Sequence, residues 1–290
     1  MKPSRFEYMA PRAEEDALAL LGEHGERAKL LAGGQSLIPL MNFRLARPEV
    51  VIDINRIASL AYVRGQDGGV AIGALTRQHV LERDAEVVGR VPVLAEACHL
   101  IGHLPIRHRG TVGGNLAHAD PASELPAAMV ALGAEMVAAS RQGRRVIDAE
   151  GFFAGPLTTI LRSDELLIEI RVPGLPPRTG GAFVEISRRA GDYALVGATA
   201  LVTLDAAGRC TRARIALCGA GPTPIRAAAA EQILGGERVA GSALEEAARR
   251  AADATYPPSD VHASSAFRRK LARHVTREAL ETAARRAEGA

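Results

Sequence analysis

Two short glycine runs are the residues in this sequence best suited to chemistry. Ala32-Gly33-Gly34-Gln35-Ser36 follows the apolar run Lys29-Leu30-Leu31, and Thr111-Val112-Gly113-Gly114-Asn115 follows Arg109-Gly110. Lacking a side chain, glycine lets successive backbone N–H groups converge on an anion, and a helix that starts there adds roughly half a positive charge. Gly114 is expected at positive φ, with its backbone close to a phosphate. A single glycine pair after a strand is more often a plain turn. Two in one chain match the two phosphate groups of a diphosphate. Neither run fits G-x-G-x-x-G entering a helix with a later ribose-binding acid, and neither is a lysine-bearing P-loop, so the usual dinucleotide and ATPase readings fail.

Other reactive side chains are placed less tellingly. His103, His108 and His118 fall in loop-like sequence without paired cysteines or acids at ligand spacing, and no metal is expected. Cys98, Cys210 and Cys218 lack C-x-x-C spacing, so no disulfide framework, zinc or iron-sulfur site is written locally, and Cys98 reads as a packing residue. Arg268, Arg269, Lys270 and Arg273 form the densest basic group; a solvated helix face explains them as well as an acidic partner does.

The elements that position the two runs can be read from apolar periodicity. A helix from Glu14 to Leu21, ended by Gly22 and Gly25, precedes a buried strand at Lys29–Ala32. Pro39 is tolerable only in a first helical turn, which makes Ser36 the expected N-cap. Strands follow at Val50–Ile54 and Val70–Ala74, the latter after the turn signal Gln66-Asp67-Gly68-Gly69, and a helix starts near Pro92. An alanine-rich helix past the second run leads to strands at Ala134–Ala138 and Leu166–Val172. Pro173 to Gly181 reads as a linker. Beyond it come strands at Ala182–Ser187, Ala198–Leu204 and Thr211–Leu217, then helices at Pro224–Leu234, Ser242–Ala254 and Phe267–Ala287, an α+β order.

At 290 residues the chain is long enough for two or three well-buried units. Its 47% hydrophobic and 24% charged content excludes a largely disordered chain. A net charge of +3, from 36 basic and 33 acidic residues spread along the chain, implies no nucleic acid. No stretch has the length and apolarity of a signal-peptide core or a transmembrane segment, and a cytoplasmic location is expected, with association at the inner face of the membrane left open.

Together the two glycine runs resemble the flavin diphosphate motifs in the FAD-binding medium subunits of molybdenum hydroxylases, the family of aerobic carbon monoxide dehydrogenase, quinoline oxidoreductase and xanthine dehydrogenase. The resemblance covers nearly the whole chain. It extends through Phe6-Glu7-Tyr8, Arg44-Leu45-Ala46-Arg47-Pro48, Ile106-Arg107-His108-Arg109-Gly110, Asp120 to Pro126, Val172-Pro173 and Arg189-Ala190-Gly191-Asp192-Tyr193-Ala194. It implies a PCMH-type FAD-binding domain over 1–175, made of two small α/β subdomains at about 1–57 and 58–175. A C-terminal α+β domain over 180–290, with a small antiparallel sheet packed on helices, would follow.

The resemblance also implies the site. Residues Ala32 to Ser36 and Thr111 to Asn115 would hold the FAD diphosphate through backbone N–H groups, with Ser36, Thr111 and Asn115 adding side-chain hydrogen bonds. Ile101 would flank the cofactor, Glu124 would accept from its hydroxyls, Ser123 and Asp120 would line the same loop, and Leu167 would pack near the adenine or ring. Tyr193 would cover one face of the isoalloxazine. A lysine found near Val184 in some relatives is absent here. The implied partners are a molybdopterin-binding large subunit and a small subunit with two 2Fe-2S clusters, in a dimer of heterotrimers. Electrons would pass from those clusters through this FAD to an external acceptor, and no catalytic base or nucleophile is expected in this chain. A self-sufficient flavoprotein with its own substrate site and a cofactor-free scaffold subunit are the rival readings.

Overall fold

A computed structural model of the chain describes residues 2–290. Strand β1 (Glu7–Met9), helix α1 (Glu14–His24), strand β2 (Ala28–Leu31), helix α2 (Leu37–Asn42) and strand β3 (Val50–Asp53) form its first unit. The strands lie parallel in the order β1-β3-β2, with Tyr8 opposite Val51 and Leu30 opposite Ile52. Parallel neighbours need a crossover, which α2 and its loops supply between β2 and β3. Ala17, Leu18 and Leu21 recur at helical spacing and are the buried residues of α1. The helix runs through Gly22 and stops at Gly25, whose φ of 53° suits a residue without Cβ.

The second unit opens with strands β4 (Val63–Gln66) and β5 (Gly69–Gly73). Asp67 and Gly68, both at positive φ, make the two-residue turn that a right-twisted hairpin favours. Short helices follow: α3 (Gln78–Leu81), α4 (Ala85–Arg90), α5 (Pro92–Leu100), α6 (Leu104–Arg109), α7 (Val112–His118) and α8 (Glu124–Leu132). Strands β6 (Glu135–Ser140) and β7 (Gly143–Asp148), helix α9 (Ala149–Phe152), the small pair β8 (Phe153–Gly155) and β9 (Thr158–Thr159), and strand β10 (Leu166–Val172) complete the unit. Its five-stranded antiparallel sheet runs β4-β5-β10-β6-β7. Leu166 and Ile168 reach from β10 into one core with Leu18, Leu21 and Ile52, which joins the second unit to the first.

The chain then forms β11 (Thr179–Ser187), β12 (Ala194–Leu204), β13 (Cys210–Cys218) and β14 (Ile225–Arg226), an antiparallel sheet in sequence order. Helices α10 (Ala228–Leu234), α11 (Gly241–Asp253) and α12 (Ser265–Glu288) follow. Nearly every residue of β12 is buried, because α12 covers one face of the sheet while α5 and α8 cover the other. Arg268, read from sequence as part of a solvated or partner-binding face, is instead 6% exposed. It donates to the Leu195 carbonyl at 2.5 Å and to Asp260 at 2.6 Å, tying α12 to the sheet and to the loop before it.

Two stretches read as loops are helical. His103 precedes α6, with Pro105 in its first turn; His108 lies within α6 and His118 within α7. Strand β7 and the β8–β9 pair carry no alternating apolar signal, and β7 is mostly exposed. Among the described residues no helix is long and apolar enough to cross a membrane.

Candidate functional site

The first glycine run leaves the end of β2 and turns at Gly34, whose φ is 74°. Among the described residues, the N–H groups of Gly33, Gly34, Gln35 and Ser36 have no hydrogen-bond partner. Four consecutive unpartnered donors form a concavity suited to an anion. The turn is held from behind: Asn55 donates its amide to the Ala32 carbonyl at 2.7 Å and to Asp53 at 2.6 Å. Arg77 donates to Asn55 Oδ1 at 2.7 Å and also to the Arg109 carbonyl, so one guanidinium ties both glycine segments together. Ser36 is not the side-chain cap expected of it. Its backbone is already helical, at φ −106° and ψ −47°, and no N–H of α2 bonds to its hydroxyl.

The second run is built differently from the expectation. Thr111 caps α7 by accepting from the Gly114 N–H at 3.1 Å. The Val112 N–H donates to the Thr76 carbonyl at 2.9 Å, and the Gly113 N–H to the Ala74 carbonyl at 2.8 Å. These three donors are engaged within the chain, and Gly114 is not at positive φ because it lies in the first turn of a helix. Its glycines serve close packing. A Cβ on Gly113 would fall 2.8 Å from the Ala74 carbonyl oxygen, and one on Gly114 would fall 2.6 Å from Thr111 Oγ1 and 3.5 Å from the Ala32 Cβ. From the opposite side, a Cβ on Gly33 would meet the Arg109 carbonyl at 2.5 Å and Gly110 Cα at 2.8 Å. The first run therefore packs backbone to backbone against Arg109-Gly110, which lead into the second run, and Gly114 brings the second run up to the Ala32 side chain.

Side chains from three further segments converge here. Ser123 donates to Asn115 Oδ1 at 2.9 Å, which orients the one polar side chain of the second run that is partly exposed. Asp120 turns its own loop by accepting from the Ala122 N–H. Glu124 begins α8 and is 2% exposed; burial chiefly, with Asp120 adding to it, pushes its carboxyl up to about 7. Tyr193 leaves 56% of its surface exposed while its hydroxyl end is closed in beside Asp120 and Ser36. Burial of that end, with the charges of Asp120 and Glu124, pushes the phenol up to about 12, so it stays protonated.

Ile101 caps the C-terminal end of α5 and is 7% exposed. Beside it stands His103, which sequence reading did not place in the site. Its ring packs against Gly191, where a Cβ would fall 2.9 Å from Nε2 and φ is 84°, so the Arg189–Tyr193 loop is seated on the α5–α6 connection. Leu167 is 4% exposed within β10, in the core beneath α7, while Gln35 is exposed on the first turn. Asn55 and Arg77 also escaped sequence reading, since a lone Asn or Arg beside a strand carries no pattern. Among the described residues no cluster of three His, Cys, Asp or Glu side chains could hold a metal ion. The arrangement is equipped to hold an anionic, partly aromatic molecule.

Residues 4–175 match the family described as the FAD binding domain in molybdopterin dehydrogenase, and residues 181–283 match the CO dehydrogenase flavoprotein C-terminal domain. The chain belongs to this family of FAD-binding subunits. It is 44% identical to the 6-hydroxypseudooxynicotine dehydrogenase complex subunit alpha of Paenarthrobacter nicotinovorans over 99% of this chain and 97% of that one. It is 42% identical to the caffeine dehydrogenase subunit beta of Pseudomonas sp. strain CBB1, with the same coverage. A chain of the carbon monoxide dehydrogenase structure from Hydrogenophaga pseudoflava superposes with a TM-score of 0.96 at 40% identity, covering 99% of both chains. The mixed α+β architecture is that of these FAD-binding medium chains.

Proposed function

We infer that this chain is the FAD-carrying electron-transfer subunit of a heteromeric molybdenum hydroxylase, an oxidoreductase complex. Its partners are a large subunit with the molybdenum cofactor and a small subunit with 2Fe-2S clusters. What supports the reading is the first turn, whose four N–H groups have no partner, packed through Gly33 against the lead-in of the second run and with the Tyr193 hydroxyl beside Ser36. When bound, FAD supplies the redox chemistry.

The chain's residues bind and orient the cofactor. Gly33 to Ser36 receive the diphosphate, with Ala32 fixing the turn through its carbonyl. Gly113 and Gly114 keep Val112 and the α7 backbone close enough for Thr111, Asn115 and Ser123 to line the same cradle. Glu124 and Asp120 face the cofactor's hydroxyls, Ile101 and Leu167 supply apolar walls, and Tyr193 shields one face of the ring. The division proposed is 1–175 for FAD binding, with subdomains near 1–57 and 58–175, and 180–290 for the lid-bearing α+β domain. The complex is proposed to be a cytoplasmic dimer of heterotrimers. Substrate selection then rests with the large subunit, which is why no nucleophile or base is called for here.

Expression of the chain tests the reading. It should carry one FAD, released intact by acid precipitation, since no side chain in the site is arranged for attachment. FMN, no flavin, or colour that stays with the precipitate would refute it.

A further inference from the structure

Helix α2 leads away from the first turn and ends in an apolar surface that the fold leaves uncovered. It starts on the cradle. The Ile38 N–H donates to the Gly34 carbonyl at 3.1 Å, a Cβ on Gly34 would fall 3.2 Å from Ile38 Cγ1, and Ser36, just before the helix, lies beside the Tyr193 hydroxyl. Met41 is the one buried residue of α2. Pro39 and Phe43, four positions apart and so on one side of the helix, are both exposed. Phe43 is 65% exposed and Leu45, just past the helix end, 76%. Single exposed apolar residues are ordinary, whereas neighbouring large ones rimmed by polar groups mark a surface that meets another molecule.

The helix end holds this surface in one shape. The Leu45 N–H donates to the Leu40 carbonyl at 2.9 Å and the Arg44 N–H to the Met41 carbonyl at 3.0 Å, the pair of bonds that closes a helix C-terminus. Such a closure puts the residue after the cap in the left-handed region, where glycine fits best; here it is Arg44, at φ 58°. The strained position carries a side chain that the chain itself barely uses. Arg44 Nε reaches the Lys2 carbonyl at 3.4 Å, and Arg47 Nε donates to the Arg44 carbonyl at 3.0 Å. Among the described residues neither guanidinium lies within ion-pair distance of a carboxylate, and nearby Glu49 is taken up by Arg27 at 3.7 Å. A rigid turn therefore presents Phe43 and Leu45 among cations without counter-ions, and strain kept at such a place points to binding.

We propose that the end of α2, through Phe43, Arg44, Leu45 and Arg47, is the docking surface for the small 2Fe-2S subunit, which meets it with an apolar pocket rimmed by carboxylates. This rests on the function proposed above. Two features select that occupant. Electrons reach the flavin from the small subunit, so that subunit must come close to the cofactor, and only the six residues of α2, about 9 Å, separate the first turn from the patch. Charge disfavours a second copy of this chain, because in a twofold contact the patch would meet itself and set Arg44 and Arg47 against the same two cations. The large subunit passes its electrons through the clusters and has no need of this position.

The test is co-expression of the chain with its large and small subunits, followed by serial dilution of the complex on a sizing column to find the Kd at which the chain leaves it. Phe43→Glu and Leu45→Glu should each raise that Kd about tenfold or more, as loss of an interface anchor does. Phe43→Leu, which stays apolar, and Val261→Glu, which charges a residue 94% exposed in the other half, should match the wild type. Arg44→Gly separates docking from folding: relief of the left-handed strain should leave the Tm of the chain unchanged or higher while association weakens. Leu45→Glu decides alone if Phe43→Glu lowers the Tm. Glu variants that stay in the complex like the wild type, that lose the large subunit while keeping the small one, or that only abolish self-association of the chain, overturn the proposal and leave the FAD reading standing. A wild-type chain that carries no FAD and joins no 2Fe-2S subunit overturns both.

Discussion

Gly33→Ala is the sharpest test of the claim that the two glycine runs form one cradle. The new methyl would stand 2.5 Å from the Arg109 carbonyl oxygen and 2.8 Å from Gly110 Cα, where ordinary contact needs 3.4 Å or more. The obstacles are backbone atoms, so no rotamer change relieves the clash. The first turn must retreat by about 1 Å, an overpacking of about 1–3 kcal/mol. The Arg77 bridge to Asn55 and the Arg109 carbonyl resists that retreat. If the strain falls wholly on binding, the Kd for FAD rises about 5- to 150-fold; any part borne without cofactor appears as a lower Tm. Fluorescence titration and thermal unfolding of the flavin-free chain measure the two parts. Gly89→Ala is the control, because a Cβ there meets nothing within 4 Å and helix α4 gains propensity. A Gly33→Ala chain with wild-type affinity and wild-type Tm would refute the packing argument.

Two further outcomes follow from the site. Tyr193→Ala should weaken FAD binding about two- to twelvefold, since aromatic stacking contributes about 0.5–1.5 kcal/mol, and should raise the fluorescence of bound flavin; Tyr193→Phe should leave both nearly unchanged. A large loss of flavin reduction rate in the Phe variant of the reconstituted complex would transfer the role from the ring to the hydroxyl. The flavin-free chain should become less stable as pH rises from about 4.5 to about 8, because Glu124 and Glu185 hold protons in the fold that the unfolded chain has released. For Glu124 alone, a rise from the ordinary 4.5 to about 7 corresponds to a loss on the order of 3 kcal/mol. Urea unfolding at pH 5.5 and 8.5 measures it, and greater stability at the higher pH would contradict the buried-acid account.

Much of this was legible in the sequence where one physical signal dominated. Val50–Asp53, Leu166–Val172 and the long β12 are apolar runs with nowhere to go but a buried sheet. The Gly33-Gly34 turn was legible because a glycine pair after a strand signals a turn, and Gly34 takes a φ of 74° there. Gly113 and Gly114 were singled out for a different reason from the one the fold gives, since close helix packing and a phosphate cradle select the same residue. Asn55, Arg77 and His103 were illegible. Each acts through a partner more than 20 residues away in sequence, and their roles exist only once Arg109, Ala32 and Gly191 are brought beside them.

Glu185 shows why such a position resists reading from sequence and still has a physical logic. In Phe183-Val184-Glu185-Ile186, an acid between apolar neighbours reads as the exposed position of a half-buried strand, yet this sheet is covered on both faces. Glu185 is partly buried there, and its raised carboxyl, like that of Glu124, destabilises the chain as pH rises through neutral.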